Sequence, residues 1–249
     1  MKLMLTKDYD ELSKCGADLI MAQINAKQDS VLGLATGSSP LGCYQELIQR
    51  CQNNLVTFKY VSSLNLDEYI GLSPEHQQSY RYFMNHHFFN QININQNHTY
   101  LPNGVHPNLE QACIEYETKI DQVGPPDIQI LGIGANGHIG FNEPGSSFSS
   151  YTHIVKLAHS TRQANARFFR SIDEVPTHAI TMGISSILKS KKIILMASGQ
   201  QKAEAIKRLL DGEKNEQFPA SSLFDHPDVT LIVDKEAYEL VETENLARC

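Results

Sequence analysis

Short apolar runs alternate along the chain with longer segments whose apolar residues recur at helical spacing. The short runs predict buried strands, and the periodic segments predict amphipathic helices that cover them. The predicted strands are 31–35, 61–66, 128–131, 179–182, 193–197 and 229–233, and the predicted helices are 9–27, 40–51, 80–90, 108–123, 184–188, 202–210 and 235–246. Strands that alternate with helices are typical of an α/β protein with a mostly parallel sheet.

One glycine-dense loop, 132–145, follows the predicted strand 128–131 directly. Glycine lets the backbone turn sharply and approach a ligand, so such loops usually line a site. The loop holds His138 and Glu143, and an imidazole beside a carboxylate is a common general acid/base pair. The alternative is a structural turn in which the two side chains satisfy each other.

A second loop, 36–40, joins the predicted strand 31–35 to a predicted helix. Ser39 is predicted to cap this helix, and Pro40 is predicted to be its first residue. Thr36, Gly37, Ser38 and Ser39 would then offer hydroxyls and backbone N–H groups at a helix N-terminus, which favours a phosphate. No P-loop or full dinucleotide fingerprint is present, so a small phosphorylated ligand fits better than a nucleotide. The turn could also serve capping alone.

Acidic and basic residues stand at other predicted loop positions. Asp67 and Glu68 follow the strand 61–66, where open parallel sheets bind ligands, so Asp67 is a candidate base; it could instead cap the next turn. Lys202 is predicted in a first helical turn, where a cation opposes the helix dipole and suggests an anionic ligand, although a surface lysine is the alternative. The polar segment of about 145–175, which carries Arg167, is predicted to be a lid.

Composition narrows the class of protein. The 249 residues fit one large α/β domain or two small ones, and no linker or repeat divides them. The net charge of -7 argues against nucleic acid or an anionic membrane as the main partner. The five cysteines are scattered, with no Cys-x-x-Cys pair, which indicates neither a zinc site nor a disulfide framework and favours the cytoplasm. No signal peptide or membrane span is predicted.

Four motifs occur together in a fixed order: LGLATGSSP at 32–40, LNLDEY at 64–69, GIGANGHIGFNEP at 132–144 and QANARFF at 163–169. As a set they resemble the glucosamine-6-phosphate deaminase family over nearly the whole chain. The resemblance implies a single modified doubly wound α/β domain, 1–249. It also implies the reversible conversion of glucosamine 6-phosphate and water into fructose 6-phosphate and ammonia, without a metal or an organic cofactor.

The resemblance also implies roles for individual residues. His138, oriented by Glu143, matches the family's ring-opening group, and Asp67 matches its enolisation base. The phosphate would be held by the turn 36–39 together with Arg167 and Lys202. Many relatives carry Asp two residues before the histidine, whereas this chain has Asn136. We expect Asn136 to orient the site by hydrogen bonding.

Two other functions remain open from the sequence. A 6-phosphogluconolactonase shares the general fold and substrate class but does not need the LNLDEY motif. A non-catalytic sugar phosphate sensor would need a DNA-binding module, for which the first predicted strand begins too early. The resemblance further implies a monomer or small homo-oligomer that is not activated by an effector. In the family's hexameric, allosteric members, basic residues shortly after the catalytic loop bind the effector's phosphate, whereas 150–155 of this chain contains no Arg or Lys.

Overall fold

The structure is a computed structural model that describes residues 1–247, with the backbone alone described from 242 onward. The strands, numbered in chain order, are β1 (Lys2–Thr6), β2 (Val31–Leu34), β3 (Ser62–Asn65), β4 (Asp67–Tyr69), β5 (Thr99–Tyr100), β6 (Ile128–Gly132), β7 (His153–Lys156), β8 (His178–Thr181), β9 (Ile193–Ala197) and β10 (Val229–Asp234). The helices are α1 (Tyr9–Ala26), α2 (Leu41–Gln52), α3 (Tyr80–His87), α4 (Leu109–Val123), α5 (His159–Asn165), α6 (Ile184–Leu188), α7 (Ala203–Leu210) and α8 (Lys235–Ala247).

Seven strands form one sheet in the order β1-β10-β9-β6-β2-β3-β5, and every neighbouring pair in it is parallel. The apolar runs at its centre explain this arrangement. Strands β2 and β9 are buried along their whole length, as strands covered by helices on both faces must be. The α/β fold with a mostly parallel sheet is therefore confirmed. Among the described helices, none combines the length and apolar character that a membrane crossing requires.

Strand order reverses between β2 and β6. From β2 the chain proceeds outward through β3 to β5, whereas from β6 it proceeds the other way through β9 to β10. Loops that leave the two halves at such a point diverge, and they open a crevice outside the carboxyl ends of the strands. The segments after β2, β3, β6 and β9 all emerge at this edge. They hold the turn 36–39, Asp67 at the start of β4, His138 and Lys202.

A second sheet of three strands, in the order β4-β8-β7, was not predicted from the sequence. Both of its pairings are antiparallel, with Asp67 opposite Thr181 in one and His153 opposite Thr181 in the other. The predicted strand 179–182 thus belongs to this sheet and not to the main one. Part of the predicted lid forms its edge strand β7, and helix α5 follows, so the segment 145–175 contains regular elements.

Two details of the predicted helix starts are wrong. Helix α2 begins at Leu41, so Pro40 is the N-cap and Ser39 makes no cap. The backbone of Pro40 instead accepts from the Tyr44 N–H group at 2.9 Å. Lys202 lies in a 3-10 turn, Gln200–Lys202, and it is the N-cap of α7 rather than a residue of its first turn.

Candidate active site

A cavity of about 270 Å³ lies at the carboxyl edge of the main sheet, between the loops that follow β2, β3, β6 and β9. It is lined by most of the site residues that the sequence predicts: Thr36, Gly37, Ser38, Ser39, Asp67, His138, Arg167 and Lys202. Asn136 and Glu143 are not among the lining residues and lie behind His138. The structure therefore brings the sequence-predicted residues together at one place.

The turn 36–39 forms one wall of the cavity and is fixed from behind by Tyr9. The Tyr9 hydroxyl donates to the Ser38 backbone oxygen at 2.6 Å and accepts from the Gly42 N–H group at 2.8 Å. Gly37 has a φ of 92°, a conformation that favours glycine. The turn consequently presents its backbone and its hydroxyls toward the cavity just before helix α2 begins, as an anion site requires.

Two cations stand at the same end of the cavity as this turn. Lys202 reaches across from the loop after β9, and its Nζ donates to the Ile133 backbone oxygen at 2.7 Å. Burial lowers the pKa of Lys202, and the positive charge of Arg167 lowers it further. Arg167 lies over the Phe168 ring, with 4.7 Å from its Cζ atom to the ring centroid. An anion bound between the two cations would relieve their repulsion, so this end of the cavity suits a phosphate.

Four side chains form a continuous hydrogen-bonded chain that ends at His138. Asn136 Oδ1 lies 2.7 Å from His138 Nδ1, and Asn136 Nδ2 donates to Glu143 Oε2 at 2.8 Å. The direct distance from His138 Nδ1 to Glu143 Oε2 is longer, at 3.6 Å. Thr161 of α5 donates to the other oxygen of Glu143. The sequence analysis expected both Glu143 and Asn136 to orient the imidazole, and in the structure Asn136 is the one in closest contact with it.

Glu143 is ionised in this chain of hydrogen bonds. Burial acts to raise the pKa of its carboxyl, but the nearby His138 imidazole and the hydrogen bonds from Thr161 and Asn136 prevail and lower the pKa to about 2. Because the Asn136 oxygen accepts a hydrogen bond at Nδ1 of His138, Nε2 is the ring nitrogen that remains for proton exchange. His138 can therefore exchange a proton with a ligand while the buried carboxylate stabilises the imidazolium.

The backbone of the glycine-dense loop shapes this arrangement. A Cβ atom at Gly134 would lie 2.2 Å from His138 Cε1, and one at Gly137 would lie 2.1 Å from the Phe218 ring. Gly137 also has a φ of 86°. The Gly134 N–H group donates to the His138 backbone oxygen at 2.9 Å and closes the loop. Side chains at either position would displace the imidazole or the ring beneath it.

Asp67 is buried where β3 ends and β4 begins, with 6% of its surface exposed. Burial, together with the charge of Glu68, raises the pKa of Asp67 to about 8. The neighbouring Glu68 turns away from the cavity and accepts from the backbone N–H groups of Tyr80 and Arg81 at 2.8 Å, at the start of helix α3. A carboxylate with so high a pKa binds a proton readily, which is what a general base in a site needs.

Several lining residues were not predicted as site residues: Tyr80, Thr161, Asn165, Phe168 and Gln201. Tyr80 stands in an aromatic-rich helix, whose rings are typical of core or surface positions rather than of a site. Thr161, Asn165 and Phe168 belong to the predicted lid, where only Arg167 was singled out. The one sequence signal for them was the QANARFF motif, which contains Asn165 and Phe168.

No group of three or more His, Cys, Asp or Glu residues in the described part of the chain could hold a metal ion. The side chains around the cavity are suited instead to binding an anion at one end and to moving protons at His138 and Asp67. That the protein works without a metal or an organic cofactor stays a prediction.

Fold and site together define an α/β protein with a binding cavity at the switch point of a parallel sheet. The chain belongs to the family of glucosamine-6-phosphate isomerases and 6-phosphogluconolactonases, whose model matches residues 7–232.

Within the family, the chain is 53% identical over 246 residues to a glucosamine-6-phosphate deaminase of Thermoanaerobacter pseudethanolicus, covering 99% of this chain and 97% of that protein. It is 50% identical to a deaminase of Clostridium perfringens over 242 residues, with 97% and 100% covered. Among solved structures, a monomeric glucosamine-6-phosphate deaminase superimposes with a TM-score of 0.95 at 50% identity, with 96% and 100% covered. A 6-phosphogluconolactonase of Thermotoga maritima, at 18% identity and a TM-score of 0.74, covers 94% of this chain and 98% of its own and shares the fold.

Proposed function

We propose that the protein converts glucosamine 6-phosphate and water reversibly into fructose 6-phosphate and ammonia. The observation that carries this proposal is a single cavity that holds a pair of cations at one end and both His138 and Asp67 in its walls. Identity of about half over nearly the full length to proteins named as deaminases supports it. The family also includes 6-phosphogluconolactonases, but the lactonase structure that superimposes on this chain shares 18% identity with it, a likeness that extends to the fold alone.

Phosphate binding is the first step. Arg167, Lys202 and the turn 36–39 hold the dianion, which fixes the position of the sugar relative to the catalytic groups. Binding energy from a remote phosphate lowers the entropic cost of aligning the reacting atoms. This assignment accounts for two cations held near one another in a protein with an overall negative charge.

Ring opening is the second step, and it needs a proton at the ring oxygen and the loss of one from the anomeric hydroxyl. His138 transfers these protons through the nitrogen that faces the cavity. Asn136 holds the other nitrogen, and the Glu143 carboxylate behind it stabilises the positive charge that the imidazole gains. Asn136 and Glu143 are thus positioning residues for His138.

Isomerisation and deamination follow on the open chain. Asp67 removes the proton from C2, and the electrons of that bond form the C1=C2 double bond of the enolamine as the C1 oxygen takes up a proton. Addition of a proton at C1 and loss of one from nitrogen then convert the enolamine to the imine. The resulting imine at C2 adds water, the C2–N bond breaks, and nitrogen leaves with the electron pair as ammonia. One water is consumed, and one ketone and one ammonia are formed.

The state and location of the protein are part of the same proposal. We infer a monomer, because the structurally similar deaminase is monomeric. Activity without an effector and a cytoplasmic location also belong to the proposal; nucleic acid and membranes are not partners in it.

An assay for both products tests the proposed function. Incubation with glucosamine 6-phosphate should release fructose 6-phosphate and ammonia in equal amounts, and 6-phosphogluconolactone should not be hydrolysed above its spontaneous rate. Lactone hydrolysis without ammonia release would identify a lactonase. Binding of sugar phosphates with turnover of neither substrate would identify a sensor.

A further inference from the structure

Helix α5 places one hydroxyl against the Glu143 carboxylate. Thr161 is buried, with 6% of its surface exposed, and its Oγ1 atom donates to Glu143 Oε1. The other oxygen, Oε2, accepts from Asn136 Nδ2 at 2.8 Å. Each oxygen of the carboxylate thus has its own donor, and the two donors come from different elements. Asn136 belongs to the glycine-dense loop, whereas Thr161 belongs to the segment that carries Arg167.

The hydroxyl of Thr161 is directed away from its own helix. A threonine hydroxyl in a helix commonly donates to a backbone oxygen of the preceding turn, and at a helix start it can cap the helix. The N-cap of α5 is Ala158, and the single O–H group of Thr161 donates to Glu143. Threonine is also a weaker helix former than alanine. The contribution of a hydroxyl at this position therefore lies in its contact with the carboxylate.

Neighbours of Thr161 fix the helix that carries it. Asn165, one turn further along, donates from Nδ2 to the Tyr69 hydroxyl at 2.9 Å and so joins α5 to strand β4. Arg162 donates from Nη2 to the Val175 backbone oxygen at 2.9 Å. The position of the Thr161 hydroxyl is consequently set by contacts between α5 and two other parts of the fold.

We propose that Thr161 is a positioning residue for ring opening, which fixes the Glu143 carboxylate so that it supports proton transfer at His138. This inference rests on the proposed function. A carboxylate that is held at one oxygen can still rotate, whereas donors at both oxygens fix its plane. Rotation would change the 3.6 Å distance from Glu143 Oε2 to His138 Nδ1 and the contact with Asn136. The segment that meets the phosphate through Arg167 therefore also sets the geometry behind the ring-opening group.

The charge of Glu143 depends on the groups that face it. Asn136 and His138 face it from its own loop and Thr161 faces it from α5, and among these three only the imidazole titrates. Arg162, the residue after Thr161, donates to backbone oxygens instead. Burial acts to raise the pKa of the Glu143 carboxyl, and the three facing groups lower it to about 2. Without the Thr161 donor, burial is less opposed, so the carboxyl should gain a proton at higher pH.

Thr161→Val tests this role, because it removes the hydroxyl at nearly constant volume. A hydrogen bond to a charged group is lost, so kcat for glucosamine 6-phosphate should fall roughly tenfold or more. KM should stay within about twofold of wild type, since a positioning residue does not bind the sugar. The acid limb of the pH–activity profile should move to higher pH by about one pH unit or more. Thr161→Ser keeps the donor and should retain both the wild-type kcat and the wild-type profile.

A titration that needs no turnover examines the same contact. Carbon-13 NMR follows the glutamate carboxyl carbons, and Glu143→Gln identifies the resonance of Glu143. In the wild type and in Thr161→Ser this carboxyl should stay ionised down to the acid limit of the fold, whereas in Thr161→Val its midpoint should lie at higher pH. Ser160→Val adds the same side chain at the exposed neighbouring position and should leave kinetics and titration unchanged.

Folding is controlled separately. Thermal unfolding checks each variant, and Thr161→Ala, which removes the hydroxyl with a smaller side chain, takes the place of Thr161→Val if the valine does not fit. Both substitutions should have the same effect on kcat and on the acid limb.

The outcomes distinguish this inference from the proposed function. A wild type that forms no ammonia from glucosamine 6-phosphate contradicts the proposed function, and the role of Thr161 in ring opening falls with it. Normal turnover in the wild type, together with an unchanged kcat and acid limb in a folded variant without the hydroxyl, contradicts the role of Thr161 alone. A raised KM at unchanged kcat contradicts it as well, because it indicates direct contact with the sugar. So does an equal loss of kcat in Thr161→Ser, since the effect would then not follow the hydroxyl.

Discussion

Asn136 Oδ1 lies 2.7 Å from His138 Nδ1, and the amide nitrogen of the same side chain donates to Glu143. An amide can do both at once because it carries an acceptor on one atom and a donor on the other. Asn136, which is neutral, thus fixes the His138 imidazole relative to the buried Glu143 carboxylate without adding a second negative charge. The expectation that Asn136 orients the site by hydrogen bonding agrees with this geometry.

The Asn136→Asp variant tests that relationship. A carboxylate here keeps the acceptor beside His138 but replaces the donor to Glu143 with a second oxygen, so negative charge accumulates next to the imidazole. Such charge favours the imidazolium, and we expect the acid limb of the pH–activity profile to move to higher pH. The histidine resonances followed by NMR across the same pH range should shift in parallel. An unchanged profile and titration would show that residue 136 does not couple to the ring-opening proton.

Removing the proposed base should separate chemistry from binding. In Asp67→Asn the amide cannot accept the C2 proton, so exchange of that proton with solvent deuterium should stop. Binding of the sugar phosphate should be largely retained, because the phosphate contacts lie elsewhere in the cavity. Proton NMR of the substrate in deuterated buffer measures the exchange, and calorimetry measures the binding. Exchange at the wild-type rate in this variant would end the assignment of Asp67.

The buried carboxyl of Asp67 should lower the free energy of unfolding of the protein as the pH rises. The pKa of Asp67 is about 8 in the folded chain, against an ordinary value of 3.8. As the pH rises above 3.8, the unfolded chain releases this proton and the folded chain retains it, so the free energy of unfolding falls until the pH passes about 8. Asp67→Asn should therefore stabilise the fold by several kcal/mol at pH 8 and hardly at all near pH 4.

Denaturant unfolding at the two pH values checks this effect. The exposed residue Asp211 supplies a control, because Asp211→Asn removes a carboxyl outside the catalytic cavity and should change stability little at either pH. A folded Asp67→Asn protein with no gain at pH 8 would argue that the carboxyl is ionised without cost in the native state.

Phosphate recognition should depend on Arg167. A charge-assisted hydrogen bond to phosphate contributes about 1.5–3 kcal/mol, so Arg167→Ala should raise the KM for glucosamine 6-phosphate roughly tenfold or more. Arg170→Ala offers a matched control, since Arg170 is exposed in the same segment but does not line the cavity. Steady-state kinetics on both variants, and on unphosphorylated glucosamine, provide the measurement. Equal processing of glucosamine would contradict a phosphate site here.

Regulation by N-acetylglucosamine 6-phosphate is not expected. The segment that leads into strand β7 offers no Arg or Lys before Lys156 to bind an effector's phosphate. Without a difference in binding between two states, no ligand can shift their populations. Rate curves should be hyperbolic with and without this compound. Sigmoidal kinetics that become hyperbolic when it is added would overturn the expectation, and sedimentation velocity would show whether an oligomer carries the effect.

The main sheet could be predicted from the sequence because its central strands are continuous apolar runs. Strand β1 escaped prediction since its partner, β10, lies at the far end of the chain and two of its leucines, Leu3 and Leu5, are exposed. Strand β7 escaped for a related reason, as its residues are at most half-buried and show no clear alternation. The small antiparallel sheet depends on pairing between distant segments, which local patterns do not record.

The site was predictable where a motif held the chemistry and unpredictable where contacts cross between motifs. His138 and Glu143 share one loop, so their association could be inferred. Thr161, which donates to Glu143, lies in helix α5, and no sequence pattern links it to the loop that holds Glu143. Tyr80 belongs to a helix whose aromatic residues look like core, and only the three-dimensional position of that helix places it beside Asp67.

In the proposed complex, helix α5 and the turn after it act at both ends of the bound sugar, directly on the phosphate and through Glu143 on the ring-opening group. Thr161 holds Glu143, behind the group that opens the ring, and Arg167, six residues further along the chain, meets the phosphate. The segment therefore fixes the distance between the ring-opening group and the phosphate site. A pentose phosphate, which is shorter by one carbon, can reach one of these two positions but not both together. Selection for six-carbon sugars then depends on the length of the sugar chain as well as on its hydroxyl pattern.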